Sequence, residues 1–129
     1  MYKKKILIID DEEDFCNLVK KNIEQTGEFE VYIATNGNDG IRLVREIKPD
    51  LVLLDIVMPE VDGGDVVSMI RDDKSIQDTP IVFLTAILRE GEASSQASFT
   101  IGYSLLSKTV TVGELIACIK KNVRECPQP

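Results

Sequence analysis

Asp10 and Asp11, Asp55, Thr85 and Lys108 are the residues whose types and positions could do chemistry. Each closes, or closely follows, a short aliphatic run. Carboxylates brought together from separate segments repel one another unless a cation intervenes. Magnesium suits such a place, because it prefers oxygen and takes few protein ligands beside its waters and phosphates. Asp10 or Asp11, with Asp55 and a loop carbonyl near Val57, would supply those ligands. A carboxylate is already ionised at neutral pH and can accept a phosphoryl group as an acyl phosphate. The metal and Lys108 would offset charge on the transferring oxygens, and Thr85 would donate its hydroxyl to the same group.

Taken singly, each residue has an ordinary explanation. Asp11 could cap a helix, Thr85 could bond to backbone, and Lys108 could be a surface solubiliser. Asp55 says more, because it closes the very apolar run Leu51-Val52-Leu53-Leu54 and is followed by Pro and Gly rather than by more charge. The chemistry rests on their joint position at strand ends.

The elements that would place them alternate along the chain. Lys5 to Ile9 is a continuous aliphatic run, as expected of a strand buried on both faces of a parallel sheet. Glu12 to about Thr26 follows as a helix, with Phe15, Leu18, Val19, Asn22 and Ile23 at helical spacing and acidic residues in its first turn; Gly27 ends it. Phe29 to Ile33 reads as a second, edge strand. Asn36 to about Ile47 is a helix stopped before Pro49. Asp50 to Asp55 is the third strand, Ile56 to Gly64 a loop, and Asp65 to Arg71 a third helix. Ile81 to Leu84 is the fourth strand. Arg89 to about Phe99 is a weaker, Ser-rich helix. A short strand near Leu105 and Leu106 leads to Lys108. The last helix spans about Val112 to Val123, with Thr111 and Glu114 as a capping box.

Five strands alternating with five helices predict an α/β fold. The expected architecture is a doubly wound five-stranded parallel sheet of order 2-1-3-4-5, a flavodoxin-like three-layer sandwich. Right-handed crossovers put helices on both faces. Ligands in such sheets bind beyond the carboxyl ends of the strands, where the strand order switches. Asp10, Asp11, Asp55, Thr85 and Lys108 should then share one crevice.

Composition bounds the function further. The 129 residues are 43% hydrophobic, 29% charged and 5% aromatic, which suits one globular domain with an aliphatic core. Residues 1–124 form the expected domain, and 125–129 a tail or the start of a linker. The net charge is −7, which disfavours nonspecific nucleic-acid binding. With no His, the usual general base, a His-dependent triad and most zinc sites are excluded. Three Cys cannot all pair internally and read as reduced thiols. No run reaches the length of a membrane span, and the start lacks the long apolar stretch of a signal peptide. The expected location is the cytoplasm.

These residues resemble the receiver domain of two-component response regulators, over Lys4 to about Arg124. Asp10-Asp11 after Ile-Leu-Ile-Ile matches the acidic pair. Asp55-Ile56-Val57-Met58-Pro59 with Asp62-Gly63 matches the phosphorylation segment, the most specific piece. Pro80 to Ala86 matches the fourth strand and its hydroxyl, and Ser107-Lys108 the lysine segment. The resemblance implies that a sensor histidine kinase or histidine phosphotransfer protein donates phosphoryl to Asp55. Asp10 and Asp11 would hold Mg2+, with Asp11 favoured as the direct ligand, and the domain would catalyse the transfer. Thr85 would then move toward the phosphoryl group, and the surface of the fourth helix, fifth strand and fifth helix would exchange partners. An output domain or downstream protein would read that surface; a homodimer is left open.

The chain departs from the family pattern in three places. Thr109 stands where a Pro usually follows the lysine. A cis bond without Pro costs about 2.5–4 kcal/mol, so a trans bond and a different turn are expected. Leu105 takes the usual place of a switch aromatic, with Tyr103 nearby. Gly102-Tyr103 replaces the common Gly-Ala. Val57 and Ile87, two residues beyond Asp55 and Thr85, are apolar and cannot position a water, which predicts slow loss of the phosphoryl group.

Two other functional classes compete. One is a receiver-like interaction module that works without phosphorylation, motivated by the altered switch region. The other is a phosphate-ester hydrolase, opposed by Val57 where such enzymes place a second Asp. A dinucleotide site is opposed by Asp-Asp-Glu-Glu-Asp after the first strand, where a glycine-rich cradle would be needed and the carboxylates would repel a pyrophosphate.

Overall fold

A computed structural model of the chain describes residues 3–86 and 102–124. Five strands form one parallel sheet: β1 (Lys4–Ile9), β2 (Phe29–Ala34), β3 (Leu51–Asp55), β4 (Ile81–Thr85) and β5 (Ser104–Ser107). Their order is β2-β1-β3-β4-β5, as expected from the sequence. The helices are α1 (Glu13–Glu24), α2 (Gly37–Ile47), α3 (Gly63–Arg71) and α4 (Val112–Asn122). The predicted helix from Arg89 to Phe99, and Ile87, lie outside the described residues, as does the 125–129 tail. Among the described residues no helix is long and apolar enough to cross a membrane.

Side chains alternate across a strand, so each continuous aliphatic run feeds two cores. Leu7, Ile9, Val52, Leu54 and Phe83 pack with Ile41 and Val44 of α2 and Val66, Val67 and Ile70 of α3. Ile6, Ile8, Leu51, Leu53, Val82 and Leu84 pack with Cys16, Val19 and Ile23 of α1 and Leu115 and Ile119 of α4. Both faces of the sheet are therefore covered. Burying one such aliphatic side chain contributes about 1.5–3 kcal/mol, which explains why β3 and β4 contain no exposed position. The edge strands β2 and β5 mix buried and exposed residues instead.

The register brings the chemistry-bearing residues level. Ile9 lies opposite Ala34 and Leu54, Asp55 opposite Leu84, and Thr85 opposite Ser107. Strand ends at the same height place Asp10, Asp55, Thr85 and Lys108 along one edge of the sheet.

Several boundaries differ from the sequence reading. The third helix starts at Gly63, not Asp65, because Asp62 caps it and Asp65 completes a capping box. Gly63 also explains the early start: a Cβ there would meet the Asp55 carbonyl oxygen at 2.7 Å. Only glycine lets the first turn of α3 rest on the backbone of β3's last residue. Asn36 caps α2 rather than opening it. Helix α1 runs only from Glu13 to Glu24, with Glu12 extended before it and Gly27 turning the chain at φ 76°. The last helix stops at Asn122 because Val123 is extended. Thr111 and Glu114 form the expected capping box. Asp50 precedes β3 rather than belonging to it; its Oδ2 accepts from Lys5 N at 2.8 Å.

Candidate acidic and phosphoacceptor site

Asp10 follows the last residue of β1 and is fully buried. Its backbone N–H bonds to the Ala34 carbonyl at 3.1 Å, continuing the β1–β2 ladder by one step. Its Oδ1 accepts from the Glu12 N–H at 2.9 Å. Asp11 is exposed beside it. Asp55 ends β3 and is buried. One carboxylate oxygen from each of Asp10, Asp11 and Asp55 lies within 4.8 Å of the others. Two carboxylates about 5 Å apart repel by about 3 kcal/mol at an effective dielectric of 20. Positive charge among its members, or a proton on one of them, relieves that repulsion.

Lys108 supplies part of that charge. Its position is set by the strand before it, since its N–H bonds to the Thr85 carbonyl at 2.8 Å. Its Nζ lies 2.6 Å from Asp10 Oδ2, 3.4 Å from Glu12 Oε1 and 3.5 Å from Asp55 Oδ2. The short approach to Asp10 is an ion pair by distance, although Oδ2 has no partner in hydrogen-bonding alignment. Burial alone would lower the Lys108 pKa; Asp10, Asp55 and Glu12 together hold it above its ordinary value. Asp55 goes the other way. Burial and then the Asp10 charge raise its carboxyl to about 6, against the opposing pull of Lys108 and the Val57 N–H. Cys16, behind the site, is pushed up to about 12 by burial and by Asp10, so it is no thiolate nucleophile.

The donor set fits a hard dication. It consists of three carboxylates, one of them exposed, and includes a buried Asp10 oxygen that no hydrogen bond satisfies and that lies 2.6 Å from a cation. All-oxygen ligation with room for water is what magnesium requires.

The remaining expected residues are placed as follows. Thr85 ends β4 on the strand beside Asp55 and is buried. Val57, two residues past the end of β3, is 77% exposed, and its N–H bonds to the Asp55 carboxylate. The Lys108–Thr109 bond is trans, as expected, and Thr109 N–H bonds to Ser107 Oγ at 3.2 Å. Leu105 is half-buried on β5 and packs into the α2–α3 core, away from the acidic cluster. Tyr103 faces the same core. Its hydroxyl accepts from Arg71 Nε at 2.9 Å, and its ring stands edge-on to Phe83 with centroids 5.2 Å apart. Tyr103, two residues before Leu105, is thus tied to α3.

A family model described as the response regulator receiver domain matches residues 6–120. The chain belongs to this family. Solved structures agree in fold. The chemotaxis protein CheY4 of Vibrio cholerae is 22% identical, covering 93% of this chain and 98% of its own, with a TM-score of 0.81. The N-terminal domain of a response regulator receiver protein from Methanoculleus marisnigri is 26% identical, covering 91% and 94%, with a TM-score of 0.69. A signal receiver domain of a signal transduction histidine kinase from Syntrophus aciditrophicus is 25% identical, covering 92% and 88%, with a TM-score of 0.77.

Two residues of this receiver domain's site were not singled out from sequence. Glu12 reads as one more acid in a first turn, and Phe15 as one more core position. Both contact the Lys108 ammonium: Glu12 as above, and Phe15 with its ring centroid 4.9 Å away. Nothing in their spacing reveals this, because it depends on where β5 delivers Lys108.

Proposed function

We propose that this receiver domain accepts a phosphoryl group on Asp55 from a phosphohistidine of a sensor histidine kinase or histidine phosphotransfer protein. The observation that carries the reading is the convergence of the Asp10, Asp11 and Asp55 oxygens within 4.8 Å, with Lys108 reaching Asp55 at 3.5 Å. Asp10, Asp11 and Asp55, with the Val57 carbonyl, would hold Mg2+, which when bound supplies positive charge to the phosphoryl oxygens. One Asp55 oxygen attacks phosphorus in line as the phosphorus–nitrogen bond breaks, and the electron pair leaves with the partner's imidazole. Lys108 offsets charge on a transferring oxygen. Thr85 donates its hydroxyl to the product, and the movement that follows alters the surface of β5 and α4. That is a two-state equilibrium biased by one local charge event.

The test is incubation with acetyl phosphate, with and without Mg2+, followed by mapping of the modified residue. Mg2+-dependent modification of Asp55, absent in Asp55→Asn, is the expected result. An unmodified chain whose partner binding survives Asp55→Asn would instead favour the phosphorylation-independent interaction module. The departures at Leu105 and Thr109 keep that second reading in view.

A further inference from the structure

Lys108 lies against two of the three carboxylates that a dication would use. Asp10 Oδ1 already accepts the Glu12 N–H, which leaves Oδ2, the oxygen 2.6 Å from the ammonium, as the less occupied ligand for an ion. Two cations cannot share that oxygen closely without strong repulsion, so the ammonium must give it up. Yet Lys108 must stay beside Asp55 to serve the transferring oxygens. Something has to hold it there.

Two groups outside the three-carboxylate cluster already touch it. Glu12 Oε1 is 3.4 Å from Nζ, and the Phe15 ring centroid is 4.9 Å away. They stand three residues apart, Glu12 at the extended N-cap of α1 and Phe15 in its first turn. The lysine stem runs beside Phe15, Leu18, Val110 and Val112 in an apolar groove between α1 and α4. Its side chain is only 9% exposed, so the ammonium has little freedom to retreat into water.

We propose that Glu12 and Phe15 are positioning residues that receive the Lys108 ammonium when a dication takes Asp10, keeping it beside Asp55. This rests on the phosphoacceptor reading above. The ordinary alternatives are that Phe15 only packs and Glu12 only adds negative charge. A Phe15 that only packs would affect stability but not ion affinity in a Lys108-dependent way. A Glu12 that only adds charge would act no more strongly than Glu13, which no ion pair links to Lys108.

The test is a double-mutant cycle read as Mg2+ affinity by calorimetry, with acetyl phosphate labelling of Asp55 recorded separately. Phe15→Leu should weaken Mg2+ binding by at least about two- to five-fold, the lower range of cation–ring contacts. Phe15→Tyr should restore it. Glu12→Gln should weaken binding by up to about five-fold more than the control Glu13→Gln. Lys108→Met should bind Mg2+ more tightly than wild type and erase the effects of Phe15→Leu and of the Glu12 excess. Circular dichroism on each variant verifies folding, and Glu12→Gln keeps the test open if Phe15→Leu unfolds.

Equal affinities in wild type and variants, or losses of the same size with and without Lys108, would overturn the role assigned to Glu12 and Phe15. If wild type binds Mg2+ and is labelled while those effects are missing, that role alone falls. If wild type neither binds Mg2+ nor is labelled, the phosphoacceptor reading falls and this role goes with it.

Discussion

Replacing Asp55 by Asn should stabilise the metal-free protein, even though it removes the proposed reactive group. Burial and the neighbouring Asp10 charge raise the Asp55 carboxyl from 3.8 to about 6 in the folded chain. Between those values the folded state holds a proton that the unfolded chain has released. Stability therefore falls as pH rises through about 4 to 6, and the loss is complete above that window. A difference of about two units corresponds to about 3 kcal/mol if solvent screened nothing. Asp11 beside it is exposed, so water reaches the cluster and screening reduces the effect to about 1–2 kcal/mol. Asparagine has a similar shape and no charge to desolvate. Urea unfolding in the presence of a chelator should thus show Asp55→Asn more stable than wild type by about that amount at pH 8, with the gap closing near pH 4. Adding Mg2+ at ten times its dissociation constant should then stabilise wild type by about 1.4 kcal/mol and the variant by much less. A variant no more stable than wild type at pH 8 would refute the electrostatic reasoning, because it would mean that the cluster carries no unrelieved repulsion.

Further outcomes follow from other parts of the structure. Gly63→Ala should destabilise by about 1–3 kcal/mol, since its Cβ would press on the Asp55 carbonyl oxygen at 2.7 Å and one of the two must move; chemical denaturation measures this. Thr111→Ala removes the acceptor of the Glu114 N–H bond at 3.1 Å and should cost about 1 kcal/mol, with Thr111→Asp close to neutral. Val57 is 77% exposed two residues beyond Asp55 and, being apolar, cannot orient a water; Val57→Asn should speed loss of phosphate from labelled protein, and an unchanged half-life would count against that role. Arg71→Met should loosen Tyr103 by removing its 2.9 Å hydrogen bond, lowering amide exchange protection at the start of β5 more than in β1.

The sheet was legible in the sequence because interior parallel strands are buried on both faces. Lys5–Ile9 and Leu51–Leu54 leave a continuous aliphatic signal that few other elements produce. The positions of Asp10, Asp55, Thr85 and Lys108 followed from strand ends and topology alone. Helix starts were less legible. Asp62 looked like part of a loop, and its capping role appears only when Asp65 bonds back to it. Asp50 and Asp55 bound the same run, yet five strand steps of about 3.3 Å separate them. Asp50 ties the far end of the sheet to Lys5, while Asp55 joins the acidic cluster. The choice Lys108 makes among acids was not readable either. Asp10 at 2.6 Å rather than Asp55 at 3.5 Å is its shorter contact, and that depends on side-chain reach across the sheet.

The central claim is that Asp10, Asp11 and Asp55 together bind one divalent cation. Titration with Mn2+ under nuclear magnetic resonance tests it most directly, because the ion broadens amide signals only near its seat. Selective broadening of residues 10–12 and 55–57, reversed by excess Mg2+ and lost in Asp11→Asn, is the predicted result. Broadening centred elsewhere, such as on Asp72 and Asp73, or none at all at saturating ion, would contradict the shared site.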